Sequence, residues 1–304
     1  MSTRLGWREF SAELLALYST SRRSPATRTK MGQVLREVGE LVEFTTDLTP
    51  TIIGQWIDRY PERAAITRNG LLSYLRKASR YLVARRYLEA NPFEAFSFRA
   101  RVPKSRRKRH LSRAEVRVLL DHLAVDQTWQ GRRLFALTVL LCHTGLRAKE
   151  ALRLKVCDLD FDRGTVAVVA RFRLKTEDAE ATIPLPPGAI PALREWSGVC
   201  GSEWLFPGNR LEGPWVHGTN GVRPTDHLRR ASIAAGLQPT TMLMLRHTLA
   251  THARTHFGLS AETTRQILRH AVASTQQHYI GEDWDHLRSV ASRIQFDDVA
   301  PSPH

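Results

Sequence analysis

The chain has 304 residues, 42% of them hydrophobic and 25% charged, a balance that excludes a disordered or fibrous polymer and leaves room for about two globular domains. Lys and Arg exceed Asp and Glu by enough to leave a formal charge of +15, which favours a polyanionic partner, nucleic acid first. No apolar run approaches the ~20 residues of a membrane span and the first residues lack the apolar core of a signal peptide, so a cytoplasmic protein with no membrane partner is expected. Cys142, Cys157 and Cys200 are too far apart for a zinc pair and fit a reducing compartment, with Cys142 reading as a small core residue.

The first hundred residues read as helices. Phe10, Leu14, Leu15 and Leu17 give an imperfect stripe from Trp7 to Tyr18. Met31, Val34, Leu35, Val38 and Leu41 or Val42 give a better one from Arg28 to Phe44. Thr49-Pro50 is an N-cap and N1 pair that opens a helix through Ile53, Trp56 and Ile57, closed by Pro61. A fourth helix is expected from Ala64 to Tyr87 on Ile66, Leu71, Leu72, Leu75 and Tyr81-Leu82. Nothing here alternates as a strand does, so residues 1–97 are expected to form an all-α domain.

Asn91-Pro92 ends that helix, and residues 98–110 form a basic linker. No acidic residue lies between Glu94 and Glu115, whereas Arg99, Arg101, Lys104, Arg106, Arg107, Lys108, Arg109 and Arg113 do. Such a run either tracks phosphates across a groove or is a solvated segment.

Residues 111–304 read as a second, mainly α domain with a small β element. Ser112 to Glu115 is a capping box for a helix through Val116, Leu119 and Leu120. The apolar run from Phe135 to Cys142 reads as a buried helix broken at Thr144-Gly145, and a helical pattern restarts at Ala148. Arg147 therefore sits at a tight corner, aimed at an oxyanion, paired with Glu150 on the same face, or both. Asp158 to Gly164 is turn-like, and Thr165 to Phe172 and Ala181 to Leu185 are expected strands flanking a polar hairpin end at Arg173 to Asp178. Loops are expected from Pro184 to Pro191 and from Leu211 to Arg223, and helix again near His227 to Ala235. A helix ends at Gly258 and another opens at the N-cap Ser260. Leu287, Val290, Ala291 and Ile294 share one helical face, which either packs on its own domain or inserts into a neighbouring subunit.

Three ordered motifs carry the chemistry: Thr144-Gly145-Leu146-Arg147 with Glu150; Leu245-Arg246-His247-Thr248 with Ala250-Thr251-His252; and Leu268-x-His270 with Tyr279 nine residues on. A tyrosine hydroxyl, with a pKa near 10, is unreactive alone but becomes a plausible nucleophile for phosphorus among guanidinium and imidazole donors. Together these motifs resemble the tyrosine recombinase (phage integrase) family, over roughly Arg109 to the end.

The resemblance implies a two-domain fold: an all-α, SAM-like core-binding domain and a mainly α catalytic domain with a small antiparallel sheet and a C-terminal helix exchanged between subunits. It implies a site-specific recombinase or integrase whose partner is double-stranded DNA with paired recombination sites, held by a homotetramer. Arg147 and Arg246 would bind the scissile phosphate, Lys175 in the hairpin would protonate the leaving oxygen, His270 would donate to the phosphate and Tyr279 would attack. Lys155, outside the hairpin, matches less well. No cofactor, metal or ATP is implied. The family usually carries His three residues before the second Arg, and here that place is Leu243. A topoisomerase with similar chemistry, or a non-catalytic or weakly active DNA-binding relative, is the alternative.

Overall fold

The computed structural model describes residues 4–21, 24–94, 96–102, 109–169, 181–215, 223–269 and 284–296. The chain divides into two compact units, one within residues 1–106 and the other from 107 onward. Among the described residues no helix is long and apolar enough to cross a membrane.

The first unit is helical: α1 Trp7–Thr20, α2 Pro25–Val38, α3 Pro50–Asp58 and α4 Ala65–Ala84. Its core joins Trp7, Phe10 and Leu14 to Met31, Val34 and Leu35, to Ile53 and Trp56, and to Leu71, Leu72, Leu75 and Leu82. The Thr49 hydroxyl accepts from the Ile52 N–H with Pro50 in the first turn, as that dipeptide predicts.

Two helices differ from expectation. α2 stops at Val38 rather than Phe44, and Trp7 packs against its C-cap Gly39, 2.7 Å from where a Cβ would stand. The chain then turns to pair with residues 5–7, the Trp7 N–H donating to the Glu43 carbonyl at 2.8 Å. α4 ends at Ala84, with Arg86 in the left-handed region. Its Ile66 is 68% exposed and off the buried stripe.

In the second unit the Ser112–Glu115 box starts α5 Arg113–Ala124, with the Ser112 N–H donating to Glu115 at 2.7 Å. α6 Trp129–Thr144 is buried almost all round, as its apolar run predicts, and packs against α5 and α10 Met242–Thr255. Gly145 ends α6 at φ 61, and α7 Ala148–Ala151 follows.

The sheet has three antiparallel strands in the order β1 Leu159–Asp160, β2 Thr165–Val168 and β3 Ala181–Pro184, with Asp160 opposite Thr165 and Val166 opposite Ile183. The sequence pattern predicts only two strands; part of the turn-like acidic stretch pairs as β1. The fold is mainly α with a small antiparallel sheet, as expected.

α8 Ile190–Val199 replaces the end of an expected loop. Its prolines suggest a loop, yet Pro191 stands in the first turn, where its missing N–H costs nothing. Leu193 and Trp196 then fall on one buried face, and the Trp196 indole donates to the Leu205 carbonyl at 2.6 Å. α9 Pro224–Ala234, α11 Ala261–Leu268 and α12 Trp284–Ser292 complete the described helices.

The family resemblance implies that the last apolar face inserts into a neighbour. In this structure Val290, Ile294 and Phe296 join the core of their own unit. The ring of Phe296 meets His143, His252 and Phe257 edge-on, and the Gln295 carbonyl accepts from Arg113 at 3.3 Å.

Candidate active site

Arg147 is the N-cap residue of α7, placed by the left-handed turn at Gly145. A Cβ on Gly145 would lie 2.6 Å from Leu268 and 2.9 Å from Leu249, so only glycine lets α6 end this close to α10 and α11. Glu150, three residues on, faces the same way. Its carboxylate accepts from the Arg147 guanidinium at 2.8 Å and from the Arg147 N–H at 3.0 Å. The acid is 4% exposed and the arginine 47%, so the pair has a fixed inner end and an accessible outer one.

Arg246 lies one turn into α10, whose N-cap Thr241 accepts from the Met244 N–H. Its guanidinium donates to the carbonyls of Gly145 and Leu268 and is 7% exposed. Burial, then the nearby charge of Arg147, pushes its pKa down to about 10, with Glu150 opposing. It remains a cation at neutral pH.

The two arginines, 99 residues apart in sequence (246 − 147), thus converge on one stretch of backbone. Arg246 holds the Leu268 carbonyl and Arg147 the next one, of Arg269, at 3.1 Å. The Arg269 guanidinium lies 3.6 Å from Glu150. Two guanidinium groups, of Arg147 and Arg269, therefore flank one buried carboxylate, and the charge of Arg246 lies near enough to interact with it, a positive surplus that favours a further anion at the exposed side.

Of the residues singled out from sequence, Arg147 and Arg246 are brought together. Lys175, His270 and Tyr279 lie outside the described residues, as do the hairpin tip and linker residues 103–108. Lys155 is elsewhere, paired with Glu203 at 2.6 Å. Leu243, in the first turn of α10, is 62% exposed. Sequence reasoning misses Arg269, which stands there only as the unspecified residue of Leu-x-His. The available signal is a cation directly after an amphipathic helix, but its proximity to Glu150 is a tertiary fact. Among the described residues no group of three or more His, Cys, Asp or Glu is placed to hold a metal ion.

The model of the Phage integrase family matches residues 109–286. The chain belongs to that family. It is 31% identical to the tyrosine recombinase XerC of Xylella fastidiosa (strain M23) over 223 residues, covering 72% of this chain and 71% of the relative. Identity to the tyrosine recombinase XerD of Rickettsia conorii (strain ATCC VR-613 / Malish 7) is 25% over 265 residues, covering 81% and 84%. The integrase fold recurs in solved structures. A lambda integrase tetramer bound to a Holliday junction matches with a TM-score of 0.68 at 18% identity, over 90% of this chain and 79% of that one. The Tn1549 transposon integrase in complex with a circular intermediate DNA matches with a TM-score of 0.69 at 17% identity, over 93% and 99%.

Proposed function

We propose that the chain is a site-specific DNA recombinase that cuts and rejoins strands through a 3′-phosphotyrosyl link at Tyr279. The observation that carries this is the convergence of Arg147 and Arg246 on the carbonyls of Leu268 and Arg269, the two residues that precede His270. The relatives named tyrosine recombinase support the same class.

In this reading a backbone phosphate sits against the exposed end of Arg147, beside Arg246. The Tyr279 oxygen attacks phosphorus in line, giving its proton to a neighbouring base, and the P–O5′ bond breaks. Lys175 protonates the departing 5′ oxygen. Charge growing on the non-bridging oxygens meets guanidinium groups already fixed by Glu150 and by backbone carbonyls, so little reorganisation is needed. His270 adds a hydrogen bond. A 5′ hydroxyl from a partner strand then attacks the phosphotyrosine, so bond energy is conserved and ATP has no role.

Residues 1–97 would clasp DNA as the core-binding domain, residues 98–110 would follow its backbone, and residues 111–304 would hold the chemistry. The lambda integrase tetramer bound to a Holliday junction supports a multimer on DNA; in this reading the multimer is a homotetramer on paired sites, and the last helix, packed on its own unit here, would exchange between protomers when it assembles.

A nicked cognate duplex should trap a denaturation-resistant adduct whose labelled peptide contains Tyr279, in EDTA as well as in magnesium. Tyr279→Phe should bind the duplex normally and give no adduct. Full adduct from that variant, or a strict need for a divalent metal, would overturn the mechanism. Normal binding with no cleavage by the unaltered chain would instead favour a DNA-binding relative without catalysis.

A further inference from the structure

Arg269 ends α11 in a conformation that L side chains rarely adopt, φ 51 and ψ 48, where glycine is the ordinary choice. The helix ends there, so its final carbonyls have no intrahelical donors. That of Leu268 is taken by Arg246, and that of Arg269 itself by Arg147 at 3.1 Å. The Arg269 side chain turns inward, 10% exposed, to 3.6 Å from one oxygen of Glu150. The other oxygen of Glu150 holds the Arg147 guanidinium at 2.8 Å.

We propose that Arg269 is a positioning residue for the phosphate site, sharing the Glu150 carboxylate so that Arg147 keeps its outer N–H groups for a phosphate. The inference rests on the reading of this site as a phosphodiester site. Its physical basis is competition for a buried anion. A carboxylate removed from water draws its cations in strongly, because no solvent screens it. With Arg269 present, two guanidinium groups divide that attraction. Without it, Glu150 has Arg147 as its one close guanidinium among the described residues, and the site loses a positive charge. Both changes weaken anion binding at the exposed end of Arg147. The backbone need not suffer, since glycine takes the left-handed turn freely.

The probe is inorganic orthovanadate, a phosphate-shaped anion, titrated calorimetrically into the full chain. Arg269→Gly should lower its affinity about tenfold, the scale of one nearby charge in a partly screened site, with Tm unchanged or raised. Arg269→Lys, which keeps the charge, should recover part of that loss. Adding Glu150→Gln to Arg269→Gly should recover more than the single changes predict by addition, because the competing anion is gone. Wild-type affinity in Arg269→Gly would overturn the proposal. So would equal losses in Arg269→Lys and Arg269→Gly accompanied by a fallen Tm, the mark of a merely structural residue. The site itself is judged separately. If Arg147→Ala and Arg246→Ala bind vanadate like the unaltered chain, or if that chain binds none, the phosphate-site reading fails and this inference with it. If Arg147→Ala weakens binding and Arg269→Gly does not, only the inference fails.

Discussion

At the scale of single residues, the departure of greatest chemical weight is Leu243. It stands three positions before Arg246 and shares its side of α10, yet the leucine is 62% exposed where the arginine is 7%. A large apolar side chain in water contributes little to stability, so its replacement is not constrained by packing. A leucine offers neither a donor for phosphate nor a relay for the tyrosine proton. Supplying one oriented donor to a site of this type is worth about a hundredfold in rate. Leu243→His should therefore speed adduct formation on the nicked duplex by roughly that factor, with Tm and DNA affinity little changed. Slower cleavage in that variant would mean that another donor already fills the space and is displaced by the imidazole.

At the scale of elements, α10 is both the carrier of Arg246 and the anchor for the start of its unit. The Leu111 N–H donates to the Thr248 hydroxyl at 3.0 Å, and the Leu111 carbonyl accepts from His252 Nε2 at 2.7 Å. Two side chains one turn apart thus pin Leu111, the residue before the N-cap of α5. His252 is buried beside Phe257, Phe296 and the rings of His110 and His256. Burial, first of all, pushes its pKa below the usual 6.5; the positive ends of His256, His110 and Arg113 act the same way and the Leu111 carbonyl opposes. The folded chain then binds fewer protons here than the unfolded chain. Stability from this group is full above about pH 6.5 and is lost as pH falls toward and through the folded value. His252→Gln should lose less Tm between pH 7.5 and 5.5 than the unaltered chain does; an equal loss would assign the acid sensitivity to other groups. Helix starts of this kind are legible in sequence, because capping is local: Thr49-Pro50, the Ser112–Glu115 box and Ser260 all cap as their side chains predict. So is the corner at Gly145, where a glycine follows an apolar run. The end of α2 and the pairing of β1 are not legible, since both involve distant partners, Trp7 in one case and β2 in the other. α8 is hidden by prolines that stand where a helix tolerates them. Within the site, the two arginines can be read from their motifs. The role of Arg269 cannot, because it arises from Glu150, 119 positions away (269 − 150).

For the whole molecule, the decisive quantity is the surplus of 15 positive charges and how it is spread. Many of the cations described are already engaged inside a unit: Arg59 with Glu40, Arg68 with Asp58, Arg132 with Glu195, Lys155 with Glu203. Arg133 is buried between the rings of Trp129 and Trp215, donating to the Pro207 carbonyl at 2.6 Å, and serves packing rather than a ligand. The stretch from Arg99 to Arg113 contains no acidic residue of its own, and Arg99, Arg101 and Arg109 are not buried. If that stretch follows a DNA backbone, each phosphate it neutralises releases condensed counterions, and the logarithm of affinity falls with the logarithm of salt by about 0.9 per phosphate. Replacing Arg106, Arg107, Lys108 and Arg109 by Gln should then weaken binding to unrelated duplexes and cognate duplex alike, because phosphates carry no sequence. Measured between about 50 and 200 mM salt, the range where such slopes are steep, the slope should shallow by about 0.9 for each phosphate left unneutralised, up to about 3.6 for all four. A slope unchanged by the fourfold substitution would show that these side chains remain solvated in the complex, and the binding charge would have to be sought on the surfaces of the two units.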